Sequence, residues 1–152
     1  MLVRTHLAIG LLVILAFISY SSHAILFACI VLFATILPDI DTPLSVIGRK
    51  KLSRLINFFT KHRGFLHSFT FLLLITILFS LFIPQIAFAF FVGYSFHLFA
   101  DCFTVQGIAP FWPFKKKVSG KIEAGGHFET SLFFFFLILD VIFIGIKFAS
   151  LA

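Results

Sequence analysis

Five apolar runs, at residues 7–20, 24–37, 65–83, 86–104 and 131–149, occupy most of this chain and restrict what it can fold into. A stretch such as "FTFLLLITILFSLFI" at 69–83 has no polar face to turn toward water. Of the 152 residues, 61% are hydrophobic, 25 are Phe, and only 12% are charged. An ordinary soluble domain is roughly 45–50% apolar and 25% charged. These numbers exclude a water-soluble globule and predict an all-α, polytopic integral membrane bundle of about five transmembrane helices. One domain over 1–152 is expected, since no linker, internal repeat or low-complexity tail interrupts the pattern.

The last three runs approach the ~20 residues that a helix needs to cross about 30 Å of hydrocarbon. The first two are shorter and are separated only by "SSH", which predicts a tight helical hairpin. "Ile83-Pro84-Gln85" makes a similar turn between the third and fourth. A second reading of the first run treats "MLVRTHLAIGLLVILAFI" as a cleaved signal peptide, which would remove His6 from any site. Cys29 and Cys102 lie inside apolar runs without CxxC spacing, so free thiols are expected.

Charge sets the expected orientation. Eleven of the twelve cations fall before the first run or in the segments 38–64 and 105–130; the remaining one, Lys147, lies in the last run. The positive-inside rule places those segments in the cytoplasm, with the N-terminus inside the cell membrane and the C-terminus outside. The net charge of +6 therefore speaks for a membrane surface and not for nucleic acid, whose recognition motifs are missing. Between Leu44 and Thr60, cations alternate with apolar residues at helical spacing, as in an amphipathic helix lying in the interface. An ordinary loop helix would look the same.

Acids and histidines are scarce, six of each, and most fall at the same predicted membrane edge. His97 and Asp101 in "HLFAD" are four apart and project from one helix face. Ionisable groups inside a span are costly and usually functional, although a His–Asp pair can also staple two helices. In "LPDIDTPLS", Pro38 and Pro43 should stop the second helix and leave Asp39 and Asp41 extended, pointing the same way. Capping or solvated turn acids remain the alternative. "HRGFLH" separates His62 and His67 by five residues, so the two face one site only if Gly64 breaks the chain between them. His67 is then expected in the first helical turn, with Arg63 placed to grip a phosphate. The bland alternative is a basic interfacial anchor.

Together these residues ask for a cation. Mixed His and carboxylate donors suit zinc, manganese or iron, and a carboxylate bridge suits two ions about 3.5–4 Å apart. The strings "THLAIG", "LPDIDTPLS", "HRGFLHS", "GYSFHLFADCFTVQGIAPFWPF" and "GGHFE" resemble, in this order, the YdjM-like family, over roughly residues 4–130. That family is described as LexA-regulated, membrane-bound, metal-dependent hydrolases. The resemblance implies His6, Asp39, Asp41, His62, Arg63, His67, His97, Asp101 and Glu129 as motif residues. The HxxxD element is also faintly similar to the zinc phospholipase C pattern.

The resulting expectation is hydrolysis of a phosphoester of a membrane lipid or amphipathic substrate at the cytoplasmic interface, by a metal-activated water. His6, Asp39, Asp41, His62, His67, His97 and Asp101 would ligate one or two divalent ions, zinc foremost. Glu129 would be a general base or a further ligand, and Arg63 the phosphate grip. Thr104, Gly107 and "PFWPF" would shape the mouth. A structural metal clamp is the second expectation. A transporter is the third, and it fits less well because only Asp140, Thr76 and Ser80 stand at mid-span. The sequence sets neither the oligomeric state nor a role for Asp140 and His127.

Overall fold

Long apolar runs whose backbone groups find no water must bond within themselves, and the described residues accordingly form five α-helices and no sheet. The computed structural model describes residues 1–41 and 64–149, apart from the side chains of Ile40 and Asp41. The interfacial helix expected at 44–60, together with His62 and Arg63, lies outside the described residues. In chain order the helices are α1 (Val3–Phe17), α2 (Ala24–Ile36), α3 (Phe69–Phe82), α4 (Pro84–Cys102) and α5 (His127–Ala149).

The boundaries differ from the apolar runs for identifiable reasons. Helix α1 starts at Val3 and not at residue 7, because Glu129 of α5 accepts hydrogen bonds from the Leu2 N–H (2.5 Å) and the Thr5 hydroxyl (3.0 Å). Arg4 joins the same contact, donating to the Thr130 hydroxyl (3.0 Å) and lying 5.2 Å from the Phe133 ring centroid. With the 3₁₀ turn Ile18–Tyr20, α1 gives an 18-residue apolar stretch. Helix α3 is shorter than its run, at 14 residues, because Ser68 caps it: its hydroxyl accepts from the Phe71 N–H (3.2 Å) and donates to the Phe65 carbonyl (2.6 Å). Ser68→Ala should cost about 0.5–2 kcal/mol of stability, read as a lower thermal midpoint in detergent. Pro84 opens α4 in its first turn, where a missing N–H costs nothing.

Among the described residues, three stretches are long and apolar enough to cross a bilayer: Val3–Tyr20, α4 and α5. Helices α2 and α3 are shorter, 13 and 14 residues. Helix α4 is central, with 56% of its apolar window buried, whereas only 6% of that in α5 is buried. α5 packs along α1 and leaves Phe134, Ile138 and Val141 facing outward.

The core has two parts. Ile9, Val13 and Ile14 of α1 meet Phe27 and Val31 of α2 and Ala89 and Val92 of α4. On the other side of α4, Phe90, Tyr94 and Leu98 pack with Ala34 of α2, Leu72 of α3 and Ile108. The α2–α4 crossing is close enough to require glycine: a Cβ at Gly93 would lie 2.6 Å from the Val31 carbonyl oxygen. Small residues let membrane helices approach in this way.

The connection from α4 to α5 is irregular but tied down. Thr104 and Ile122 form one isolated β-bridge, and Ile108 and Val118 another. Gly107 sits at φ +56°, where a Cβ would also strike the Val118 carbonyl at 2.2 Å. The Pro110 carbonyl accepts from the Phe69 N–H (2.8 Å) and the Trp112 carbonyl from the Thr70 hydroxyl (2.8 Å). The "PFWPF" segment is thereby fastened to the start of α3.

Candidate metal centre

An antiparallel run of helices brings alternate termini to one end, and the chemistry-bearing residues stand at those termini. His6 is in the second turn of α1, Asp39 follows α2, His67 precedes α3, Asp101 closes α4, and Glu129 opens α5. All five are buried: His67, Asp101 and Glu129 expose nothing, and Asp39 is the most open at 9%. His97, one turn before Asp101 on the same α4 face, is also buried.

Asp39, His67, His97 and Asp101 each offer a donor atom, and the four atoms lie within 4.8 Å of one another. His67 Nε2 is 3.6 Å from Asp39 Oδ1 and 3.8 Å from Asp101 Oδ2. His97 Nε2 is 3.9 Å from each of the same two oxygens. A tetrahedral ion with bonds of ~2.0–2.1 Å has ligand–ligand edges of roughly 3.3–3.5 Å. The four His–Asp separations exceed those edges by a few tenths of an ångström, and no two of the donors are more than 4.8 Å apart.

The orientation of His97 is set by its second nitrogen. Nδ1 lies 2.7 Å from the Thr35 carbonyl oxygen. A carbonyl only accepts, so Nδ1 carries the hydrogen and Nε2 presents a lone pair to the cluster. Metal-ligating histidines are usually fixed by such a bond. Among the described residues, His97 Nε2 is buried without a hydrogen bond. Buried lone pairs left this way are costly and fit a cation. Two imidazoles and two carboxylates suit zinc, manganese or iron.

His67 reaches the cluster from a pinned turn. The Tyr94 hydroxyl donates to the Leu66 carbonyl (2.5 Å), and Ser68 caps the next helix. His67 therefore stands one residue before the cap, not in the first helical turn as expected. Asp39 also departs from expectation. Leu37–Asp41 is a 3₁₀ turn and not an extended strand, since the φ of Pro38 suits a turn as well as a strand. Asp39 then reaches the cluster without help from the alternation expected of "DID", and the side chain of Asp41 lies outside the described residues. Burial alone would raise the Asp39 carboxyl. The hydrogen bond from His67 and the charges of His97, His6 and His67 outweigh it and hold the group at about 2.

His6 flanks the quartet. Its ring stacks on His97, centroids 3.8 Å apart, and its Nε2 is 3.4 Å from Asp101 Oδ1. The Met1 ammonium lies 2.5 Å from the same oxygen. Asp101 thus turns Oδ2 to the quartet and Oδ1 to His6 and Met1. Glu129 stands behind this N-terminal turn, accepting from Leu2, Thr5 and the Gly125 N–H. His127 is exposed at the start of α5, and Asp140 is buried about 20 Å further along it at ~1.5 Å per residue. Sequence reasoning missed Thr35, Tyr94 and Ser68. Thr35 and Leu66 act through backbone carbonyls, which leave no mark on residue type, but "HS" before an apolar run was a readable cap.

These features define a class: a helical membrane protein with a buried His/Asp cluster able to hold a divalent cation at one end of its bundle. The chain belongs to the YdjM inner membrane protein family, whose model matches residues 1–150. It is 34% identical over 98 residues to the uncharacterized protein YvsG of Bacillus subtilis (strain 168), covering 62% of this chain. The chain spans 61% of the length of that relative. No solved structure matches it.

Proposed function

We propose that this protein is a metal-dependent hydrolase of the cytoplasmic membrane, cleaving a phosphoester of a membrane lipid or amphipathic substrate at the cytoplasmic interface. The observation that carries the reading is the quartet of Asp39, His67, His97 and Asp101 with the His97 lone pair held toward it. A divalent ion bound there, zinc foremost, supplies Lewis acidity and lowers the pKa of water. Asp39 and Asp101 balance its charge, and His67 and His97 add neutral nitrogen donors. His6 and the Oδ1 side of Asp101, which already meets the Met1 ammonium, favour a positive charge beside the first.

The orientation follows from charge: Arg4 lies in the first turn of α1, and Lys115, Lys116, Lys117 and Lys121 lie between α4 and α5, at the end that carries the cluster. Lys147 lies at the other end, donating to the Ser19 hydroxyl (3.1 Å). That bias supports a cytoplasmic N-terminus and an external C-terminus. Asp41 and His62 belong to the segment joining Asp39 to His67 and are proposed as further ligands, with Arg63 gripping the phosphate. Glu129 is proposed to take a proton from water or complete the ligand set, while its bonds from Leu2 and Thr5 hold the N-terminal turn beside Asp101.

Because the donors come from separate elements, a bound ion would also clamp the bundle, and the test must separate the two roles. Detergent-purified protein should contain about one or two divalent ions per chain by elemental analysis. Chelation should abolish phospholipid hydrolysis, measured as headgroup release, while circular dichroism stays unchanged, and metal addition should restore it. Protein without metal removes the proposal. Unfolding on chelation, with no hydrolysis beforehand, replaces it with the structural clamp.

A further inference from the structure

A groove of about 670 Å³ runs between α1, α4 and α5, and every residue lining it is apolar. Its walls are the three stretches long and apolar enough to span a membrane, so it faces hydrocarbon and not water. On α5 the lining runs from Phe128 to Phe143, about 22 Å at ~1.5 Å per residue, more than the depth of one leaflet. One end of this groove abuts the candidate metal centre. Ala100 and Phe128 line it and are the chain neighbours of Asp101 and Glu129, while Met1 both lines it and pairs with Asp101.

We infer that this groove holds one acyl chain of an anionic phospholipid, with the phosphate of that lipid directed to the His/Asp cluster. Three observations select this occupant. The surrounding medium is acyl chain, so no water-borne ligand competes for the groove. Its length suits a long single chain. At its polar end, Arg4 stands in the first turn of α1 and Lys121 beside the lining residue Ile122, and both complement an anionic headgroup. Packing, and not transfer from water, supplies the preference over bulk lipid, since lipid tails are already in hydrocarbon. A groove enclosed by three helices contacts a chain on more sides than the exposed outer face of α3 does. The inference deepens the hydrolase reading and rests on it for the fate of the bound lipid, but not for the binding itself.

Ala16 is exposed and lines the groove far from the cluster, so Ala16→Trp fills the groove without touching a donor. Detergent-purified protein is incubated with dipalmitoylphosphatidylglycerol and weighed by native mass spectrometry. Wild type should retain about one lipid per chain and Ala16→Trp at least ~10-fold less, with equal metal content in both. Leu81→Trp, on the exposed face of α3, should behave as wild type. Leu12→Phe, a smaller intrusion into the same groove, should reduce retention if Ala16→Trp does not fold. Equal retention in wild type and the groove variants overturns the inference. So does a dimer mass without lipid in wild type that Ala16→Trp abolishes, since a second copy then fills the groove. Lipid retained by wild type, lost in Ala16→Trp and never hydrolysed by metal-loaded protein leaves the groove standing and removes the hydrolase reading.

Discussion

Purified His97→Ala protein should hold divalent metal at least about 100-fold more weakly than wild type, because even groups one shell further out are worth about 10–100-fold. Two functions are lost in this single change. The cluster loses the Nε2 lone pair, whose direction is fixed by the hydrogen bond from Nδ1 to the Thr35 carbonyl. The Thr35 carbonyl, in the last turn of α2, also loses its partner from α4. Asp39 and Asp101 would then face each other across the site with His67 and His6 between them. Elemental analysis after gel filtration should find the variant stripped of metal at the same elution volume as wild type. Lipid hydrolysis, where wild type shows it, should fall with the metal. Metal content unchanged in His97→Ala would mean that the quartet is not where the ion binds.

The second large effect is expected at a residue with no chemistry. Gly93→Leu places a branched side chain where even a Cβ would sit 2.6 Å from the Val31 carbonyl oxygen and 3.1 Å from Ala34. A rotamer change cannot relieve a clash with backbone, so α2 and α4 must separate. Overpacking of this kind costs about 1–3 kcal/mol where side chains can give, and more is expected here. The thermal midpoint should fall sharply, and metal should be lost as well, because His97 lies one turn beyond Gly93 and depends on the same helix pair. Gly93→Ala should show a smaller fall in the same direction. A Gly93→Leu protein with wild-type midpoint and metal content would show that the crossing is not as tight as described.

The sequence carried much of this arrangement, unevenly. His97 and Asp101 were readable because a helix puts residues four apart on one face. The gathering of His6, Asp39, His67 and Asp101 at one end was readable because the apolar runs alternate direction and the polar residues sit at their ends. Local geometry was less legible. Asp39 was expected on an extended strand and stands in a 3₁₀ turn, since proline permits both. His67 was expected inside α3 and stands just before its cap, since the run of Phe and Leu hides where the helix begins. The early start of α1 depends on Glu129, more than a hundred residues away, which no local pattern records. The apolar groove was not readable at all. Its walls are ordinary apolar residues, and only the placing of α5 along α1 makes them concave.

The grip of Glu129 on Leu2 and Thr5 orders events during biogenesis. A ribosome delivers Asp39, His67, His97 and Asp101 to the membrane well before it delivers α5, so the quartet can assemble while the chain is still being made. The N-terminal turn that carries His6 can meet Asp101 and His97 early, but it gains its hydrogen bonds to Glu129 only when residue 129 arrives. Residues 2–5 are therefore made well before the side chain that bonds them, and insertion of α5 completes the flank of the site. A chain arrested before α5 would carry the four donors but lack the wall that shapes the groove beside them.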